Sequence, residues 1–285
     1  MRWRDLWRTL LSDKFMLPVV VVALILVILS FGAPLLFQES AVEPRFDMRL
    51  EAPGWLSDSS AGLMGTDELG RELWIRSLYG LRTSYLVGVL SVLLGGSIGI
   101  SLGLFSGVYG GLFDSIVMRM TEIQLSFPSL LVAMTVIASF GGGVWVLVLA
   151  LGFNSWMIYA RVARNMVLSL KRSDLVAAST SLGGRVRRLV WVHLFPNSLG
   201  PLVAIGTLEM ARLMLGEATL SFLGLGVQPP TISLGAILAA GRDYMAIQWW
   251  LAAFPGALLA LAVLTINLFG NWIQRAGDPL RVEQS

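Results

Sequence analysis

From Ile123 to Ala160 the chain runs for 38 residues without an acidic or basic side chain. A helix crosses the hydrocarbon core of a bilayer with about 20 apolar residues, so this run is too long for one crossing. Gly141-Gly142-Gly143 divides it. The reading is a span from about 115 to 140, broken near Pro128, and a second from about 143 to 165. Phe15–Phe37 supplies an earlier span. It is longer than the ~7–15-residue apolar region of a cleaved leader and lacks a clear A-x-A site, so it is read as a retained anchor. Further spans are expected near 84–108, from Pro196 to about Gly224, and from Ile247 to Ile273. Six crossings place both termini on one side.

Composition agrees. Hydrophobic residues make up 55% of the 285 and charged residues 14%, against about 25% charged in a soluble domain. Cysteine is absent, so thiol chemistry and a Cys-based metal site are excluded, and the single histidine argues against a His-cluster metal site or a Ser-His-Asp triad. A net charge of +3 gives no reason to expect nucleic acid. The fold class expected is all-α, a polytopic membrane protein.

Positive charge orients such a chain. With the N-terminus inside, the inner segments hold 13 Lys/Arg, seven of them within 161–195, and the outer segments hold six. Both termini are therefore expected in the cytoplasm. The organisation expected is an N-terminal segment and first helix over 1–37, an extracytoplasmic segment over 38–83, a five-helix core over 84–275 with a cytoplasmic loop at 166–196, and a tail over 276–285. Trp249, Trp250 and Trp272 would suit a membrane–water interface.

Gly95, Gly99, Gly103 and Gly107 recur every four residues, one stripe on one helix face. Such a stripe admits another backbone at close range; lining a substrate path is the alternative. Charges within the spans are Asp114, Arg119, Glu122, Glu209, Arg212 and Glu217. Asp114 is expected at the inner membrane edge. Arg119/Glu122 and Glu209/Arg212 stand three apart and can neutralise one another on a helix face. The alternative for Glu122, Glu209, Arg212 and Glu217 is a place on a polar path. The only lysines, Lys14 and Lys171, follow Asp13 and Leu170, so no G-x-x-x-x-G-K-[ST] phosphate loop exists. Any ATP that drives the chain is bound by another subunit.

The stretch from Ser173 to Asn197 carries small residues at Ala177, Ala178 and Ser179, then Gly183, a basic amphipathic run, His193 and Pro196. Asp174 suits an N-cap, Gly183 a helix end and Pro196 a helix start. Two short helices across the membrane face are expected, with a plain positively charged surface loop as the alternative. His193 is read as a docking or capping residue rather than a metal ligand.

This stretch resembles the coupling loop of permease subunits from binding-protein-dependent ABC importers, whose pattern is E-A-A, three residues, Gly, and a Pro thirteen positions later. Gly183 and Pro196 keep that separation, and Leu182, His193 and Asn197 match the peptide-importer version. The family Glu falls on Ala177 and the second Ala on Ser179. Gly65-Thr-Asp-Glu-Leu-Gly-Arg-Glu72, Leu220-Ser-Phe-Leu-Gly-Leu-Gly-Val-Gln-Pro-Pro230, Gly241-Arg-Asp-Tyr244 and Asp278-Pro279 resemble further signatures of DppC/OppC-type permeases, although Leu234 stands where that family usually shows Trp. The resemblance implies an importer permease of the ABC type I fold in a bacterial inner membrane. It implies a second permease subunit, two cytoplasmic ATPases holding ATP and Mg²⁺, and an outer binding protein facing the 225–246 loop. It also implies a peptide cargo, with nickel or another small solute as the alternative; an ion-gradient-driven transporter is the rival class.

Overall fold

The computed structural model describes residues 13–37, 41–57, 62–172 and 195–276. Among these, eight α-helices carry the fold: α1 Met16–Leu36, α2 Leu73–Tyr109, α3 Gly111–Leu125, α4 Ser129–Phe140, α5 Val144–Lys171, α6 Phe195–Phe222, α7 Leu234–Arg242 and α8 Trp250–Ala276. Strand pairing among the described residues amounts to an isolated bridge between Thr66 and Glu72.

Local chemistry sets the helix ends. The Asp13 carboxylate accepts from the amides of Phe15 and Met16 at 3.0 and 3.3 Å, satisfying donors that the first turn leaves free. α2 closes at Gly110, whose N–H donates to Ser106 O, and α4 closes at Gly141 on Ile137 O. Pro128, which lacks a donor, begins α4 and forces the chain to turn.

Helices α1, α2, α5 and α8 are each long and apolar enough to cross a bilayer, and the α3–α4 pair meets the same measure jointly, bent by 89° at its break. α6 is 28 residues long but carries Glu209, Arg212 and Glu217. α1 lies at the rim: Leu24, Ile28 and Leu35 are 55%, 67% and 86% exposed, an uncharged face fit for lipid.

α2 and α5 form the most extensive helix pair, and they run parallel. A Cβ on Gly95 would lie 2.6 Å from Gly152 O, on Gly99 2.1 Å from Trp156 O, on Gly103 2.2 Å from Ala160 O, and on Gly107 2.6 Å from Val167 Cβ. The two helices therefore touch over about three turns, and only hydrogen fits between them. A second core joins α1, α2, α6, α7 and α8 around Leu81, Tyr85, Met214, Leu234 and Ala262.

Two features differ from expectation. α2 begins at Leu73 rather than near 84, so the division at 83/84 falls inside a helix; at 37 residues it is about 55 Å long and must extend beyond a ~30 Å core. Its early turns are possible because Arg76, a charge that reads as a barrier, is neutralised by Asp67 at 3.1 Å and donates to Ala41 O at 2.7 Å. The break expected near Pro128 in the span over 115–140 is present, and it sets the two helices at nearly a right angle. Trp250 is packed into the protein rather than presented on its surface: it is 8% exposed and packs with Leu73, Ile237 and Leu251, while Trp249 remains 47% exposed.

Candidate functional site

Polar side chains in a bundle this apolar are held for a reason, and they collect in four places and at one bend.

The first is the segment before α2. The Asp67 carboxylate accepts from the amides of Leu69 and Arg71, each at 2.9 Å, and pairs with the guanidinium groups of Arg71 at 2.8 Å and Arg76 at 3.1 Å. Thr66 Oγ1 donates to Met48 O and accepts from the Glu51 amide. Arg49 Nε donates to Glu68 O at 2.7 Å. Gly70 has φ +77°, and a Cβ there would stand 1.7 Å from Arg45 O, so no other residue fits. Burial lifts the Glu72 carboxyl above the usual carboxylate range, against the opposing pull of Arg45. Gly65–Glu72 thus folds as a clamp on 45–52 and on the head of α2. Beside it a cavity of about 180 Å³ opens, lined by Asp67, Arg71, Arg76, Ser233, Gly241 and Tyr244 among others.

The second place is Glu217, fully buried on α6. Ser84 of α2 donates to Oε2 at 2.6 Å; Ser221 of α6 and Ser233 each donate to Oε1 at 2.8 Å. Ser233 also caps α7, accepting from the Gly235 amide. One carboxyl therefore ties together α2, α6 and the loop that leads into α7. The Leu220–Pro230 stretch supplies the rest of the junction: a Cβ on Gly226 would sit 1.9 Å from Ser221 Oγ. Thr83 Oγ1 donates to Ile232 O at 2.7 Å.

The third place is the pair Glu209–Arg212 on α6, 2.6 Å apart, with side-chain exposures of 10% and 42%. Its counterpart on α3, Arg119–Glu122, is 3.0 Å apart and lies on the surface.

The fourth place is the opposite end of α2 and α5. Asp114 accepts from Arg164 Nη2 at 2.6 Å and from Ser106 Oγ, and Lys171 Nζ donates to Val108 O at 2.7 Å. These contacts fasten the α2–α3 corner to the last turns of α5.

The bend between α3 and α4 has its own anchor, which sequence reasoning missed. Trp156 Nε1 donates to Gln124 Oε1 at 2.7 Å, Gln124 Nε2 donates to Phe153 O at 3.1 Å, and Asn154 Nδ2 donates to Ser129 O and Ala150 O. The available signal was the presence of two amide side chains inside an otherwise apolar run.

Asp174, Ala177, Ala178, Ser179, Leu182, Gly183 and His193 lie outside the described residues. Pro196 falls in the first turn of α6, so the residues between 172 and 195 stand in sequence between the end of α5 and the start of α6.

Residues 99–282 match the family model described as binding-protein-dependent transport system inner membrane component. Over 277 residues the chain is 37% identical to the di/tripeptide transport system permease protein DppC of Pseudomonas aeruginosa, covering 97% of this chain and 91% of that one. It is 38% identical to the dipeptide transport system permease protein DppC of Escherichia coli, covering 97% and 92%. A probable D,D-dipeptide permease of E. coli is 37% identical over 224 residues, 79% of this chain and 75% of that one. Among solved structures, an inward-facing MetNI methionine ABC transporter shares the fold, with a TM-score of 0.56 at 22% identity over 72% of this chain and 96% of the other. Motif order, helical architecture and chain-long similarity agree: the chain belongs to the family of inner-membrane permease components of binding-protein-dependent ABC importers, transport subunits whose ATPase is a separate chain.

Proposed function

We propose that this chain forms half of the translocation path of an ATP-driven importer of di- and oligopeptides in a bacterial inner membrane. A second, related permease completes the path. Two cytoplasmic ATPases hold ATP and Mg²⁺, and a binding protein outside delivers the peptide. Six crossings, with both termini in the cytoplasm, are the topology this reading requires. The similarity of 97% of the chain to two DppC permeases is the observation that carries it.

The geometry supplies a route for the motion. ATP closes the ATPase pair, the Ala177–Gly183 stretch moves with it, and α5 and α6, which flank that stretch, tilt. α5 cannot slide independently of α2, because Gly95, Gly99, Gly103 and Gly107 lock the two backbones. At the far end Glu217 links α6 to α2 and α7, so a tilt of α6 reaches the segments at 41–72 and 225–249. The clamp at Gly65–Glu72 and the neighbouring cavity form the platform on which the binding protein sits.

Reconstitution with the cognate permease, ATPases and binding protein tests this reading. Vesicles given ATP should accumulate di- and tripeptides and should not do so with a hydrolysis-dead ATPase. Uptake that persists without ATP and follows an ion gradient contradicts the proposal, and nickel uptake without peptide uptake replaces the cargo.

A further inference from the structure

We propose that Arg212 faces the aqueous translocation path and binds the terminal carboxylate of the peptide in transit, an inference that rests on the importer reading above. Three observations converge. Arg212 is the 18th residue of α6, roughly 26 Å from the first residue and 15 Å from the last, deep within the helix. Its side chain is nonetheless 42% exposed. The exposed faces differ in charge: α1 presents Leu24, Ile28 and Leu35 without a charge, α3 presents the Arg119–Glu122 pair, and on α6 Arg212 continues an exposed line with Leu215, Thr219 and Phe222. A guanidinium is strongly disfavoured against hydrocarbon, so this line of α6 faces water or protein, and the α1 face takes the lipid.

The second observation is how Arg212 is held. Glu209, only 10% exposed at its side chain, accepts from Nε at 3.0 Å and from Nη2 at 2.6 Å. The buried carboxylate fixes the guanidinium from behind and leaves Nη1 without a hydrogen bond among the described residues. A planar guanidinium anchored on one edge, with its other edge free, is a receptor for a carboxylate. The pair carries no net charge, so an arriving carboxylate meets an oriented dipole rather than an isolated cation. That geometry binds and releases, as a conduit must.

The third observation is the Tyr159 hydroxyl, buried with no hydrogen-bond partner. A Cβ on Gly206, one turn before Glu209, would lie 3.7 Å from it. The hydroxyl is an unmet buried donor on the α5 side of the same stretch of α6, a second polar group near the anchored pair.

The test uses the whole complex in proteoliposomes, with uptake of a mixture of di- and tripeptides read by mass spectrometry. Arg212→Gln should lower uptake about tenfold or more, the loss expected when a charge-assisted contact goes, with Arg212→Lys intermediate. The exchanged pair, Glu209→Arg with Arg212→Glu, rebuilds the same ion pair in reverse. It should assemble with the partner permease yet remain as poor as Arg212→Gln. Restoration of uptake by the exchanged pair shows that the two residues only neutralise one another and overturns the inference. Wild-type uptake by Arg212→Gln also overturns it. So does loss of the second permease from purified Arg212→Gln complex, which assigns the guanidinium to a subunit contact. Failure of the wild-type complex to carry any peptide instead overturns the importer reading, and the inference with it.

Discussion

Ser84 and Glu217 stand 133 positions apart in sequence and meet at 2.6 Å in the interior, hydroxyl to carboxylate. With Ser221 and Ser233 on the other oxygen, this contact fixes where α6 lies against α2 and where α7 begins. Replacing Glu217 by Ala strands three buried hydroxyls, each costing about 1–3 kcal/mol if nothing else accepts it. Ser221 can turn back to a helix carbonyl and recover part of that. The purified complex carrying Glu217→Ala should melt well below wild type in a thermal shift measurement, and Glu217→Gln should fall between. Equal melting would mean that the junction contributes nothing.

The α2–α5 contact predicts a contrast between glycines. Gly99→Ala drives a methyl to 2.1 Å from a carbonyl oxygen, and Gly103→Ala to 2.2 Å. Backbone atoms cannot yield as a flexible side chain would, so a loss of about 1–3 kcal/mol or more is expected. Gly32→Ala in α1 meets nothing within 4 Å and should improve helix propensity slightly. Yields of folded protein by fluorescence-detected size exclusion should fall for the first two and hold for the third.

At the clamp, Asp67→Asn leaves Arg71 and Arg76 without their shared carboxylate while retaining the size of the side chain. Gly70→Ala strikes Arg45 O directly. Both should expose 41–72 to limited proteolysis and weaken binding-protein docking without altering α5. Protection equal to wild type would contradict the clamp.

Asn154→Leu removes the amide that holds the start of α4 and the end of α3 on α5. Loss of about 1–3 kcal/mol is expected from the unmet partners, with the bend loosened. The purified complex carrying Asn154→Leu should melt below wild type in a thermal shift measurement, and equal melting would mean that the amide holds nothing.

Much of the architecture was legible because a bilayer imposes length and polarity on each crossing. The uncharged runs at 15–37 and 123–160, the glycines at 141–143 and Pro128 marked helices and their breaks. Charges misled where tertiary pairing cancels them. The uncharged run that marks the α2 span begins only after Arg82, whereas Asp67 and the Ala41 carbonyl accommodate Arg76 inside α2. Trp250 read as an interfacial residue because its burial against Leu73 depends on a segment 177 positions away. The four glycines marked a face of α2, but nothing in their spacing named α5 as the neighbour. Glu217 could be picked out as a charge in a membrane helix with Ser221 one turn on, whereas Ser84 and Ser233 come from other elements and share no local pattern with it.

The central claim is that the stretch joining α5 to α6 lies in the cytosol and is held by an ATPase. The chain contains no cysteine, so Ser179→Cys, a near-isosteric change, gives a single thiol. Labelling of intact inverted and right-side-out vesicles, followed by cross-linking within the assembled complex, reads both parts of the claim. Reaction with an impermeant maleimide only from the cytosolic face, together with a cross-link to the ATPase, is the predicted result. Labelling from the outer face, or a complex in which that thiol joins no ATPase, contradicts it.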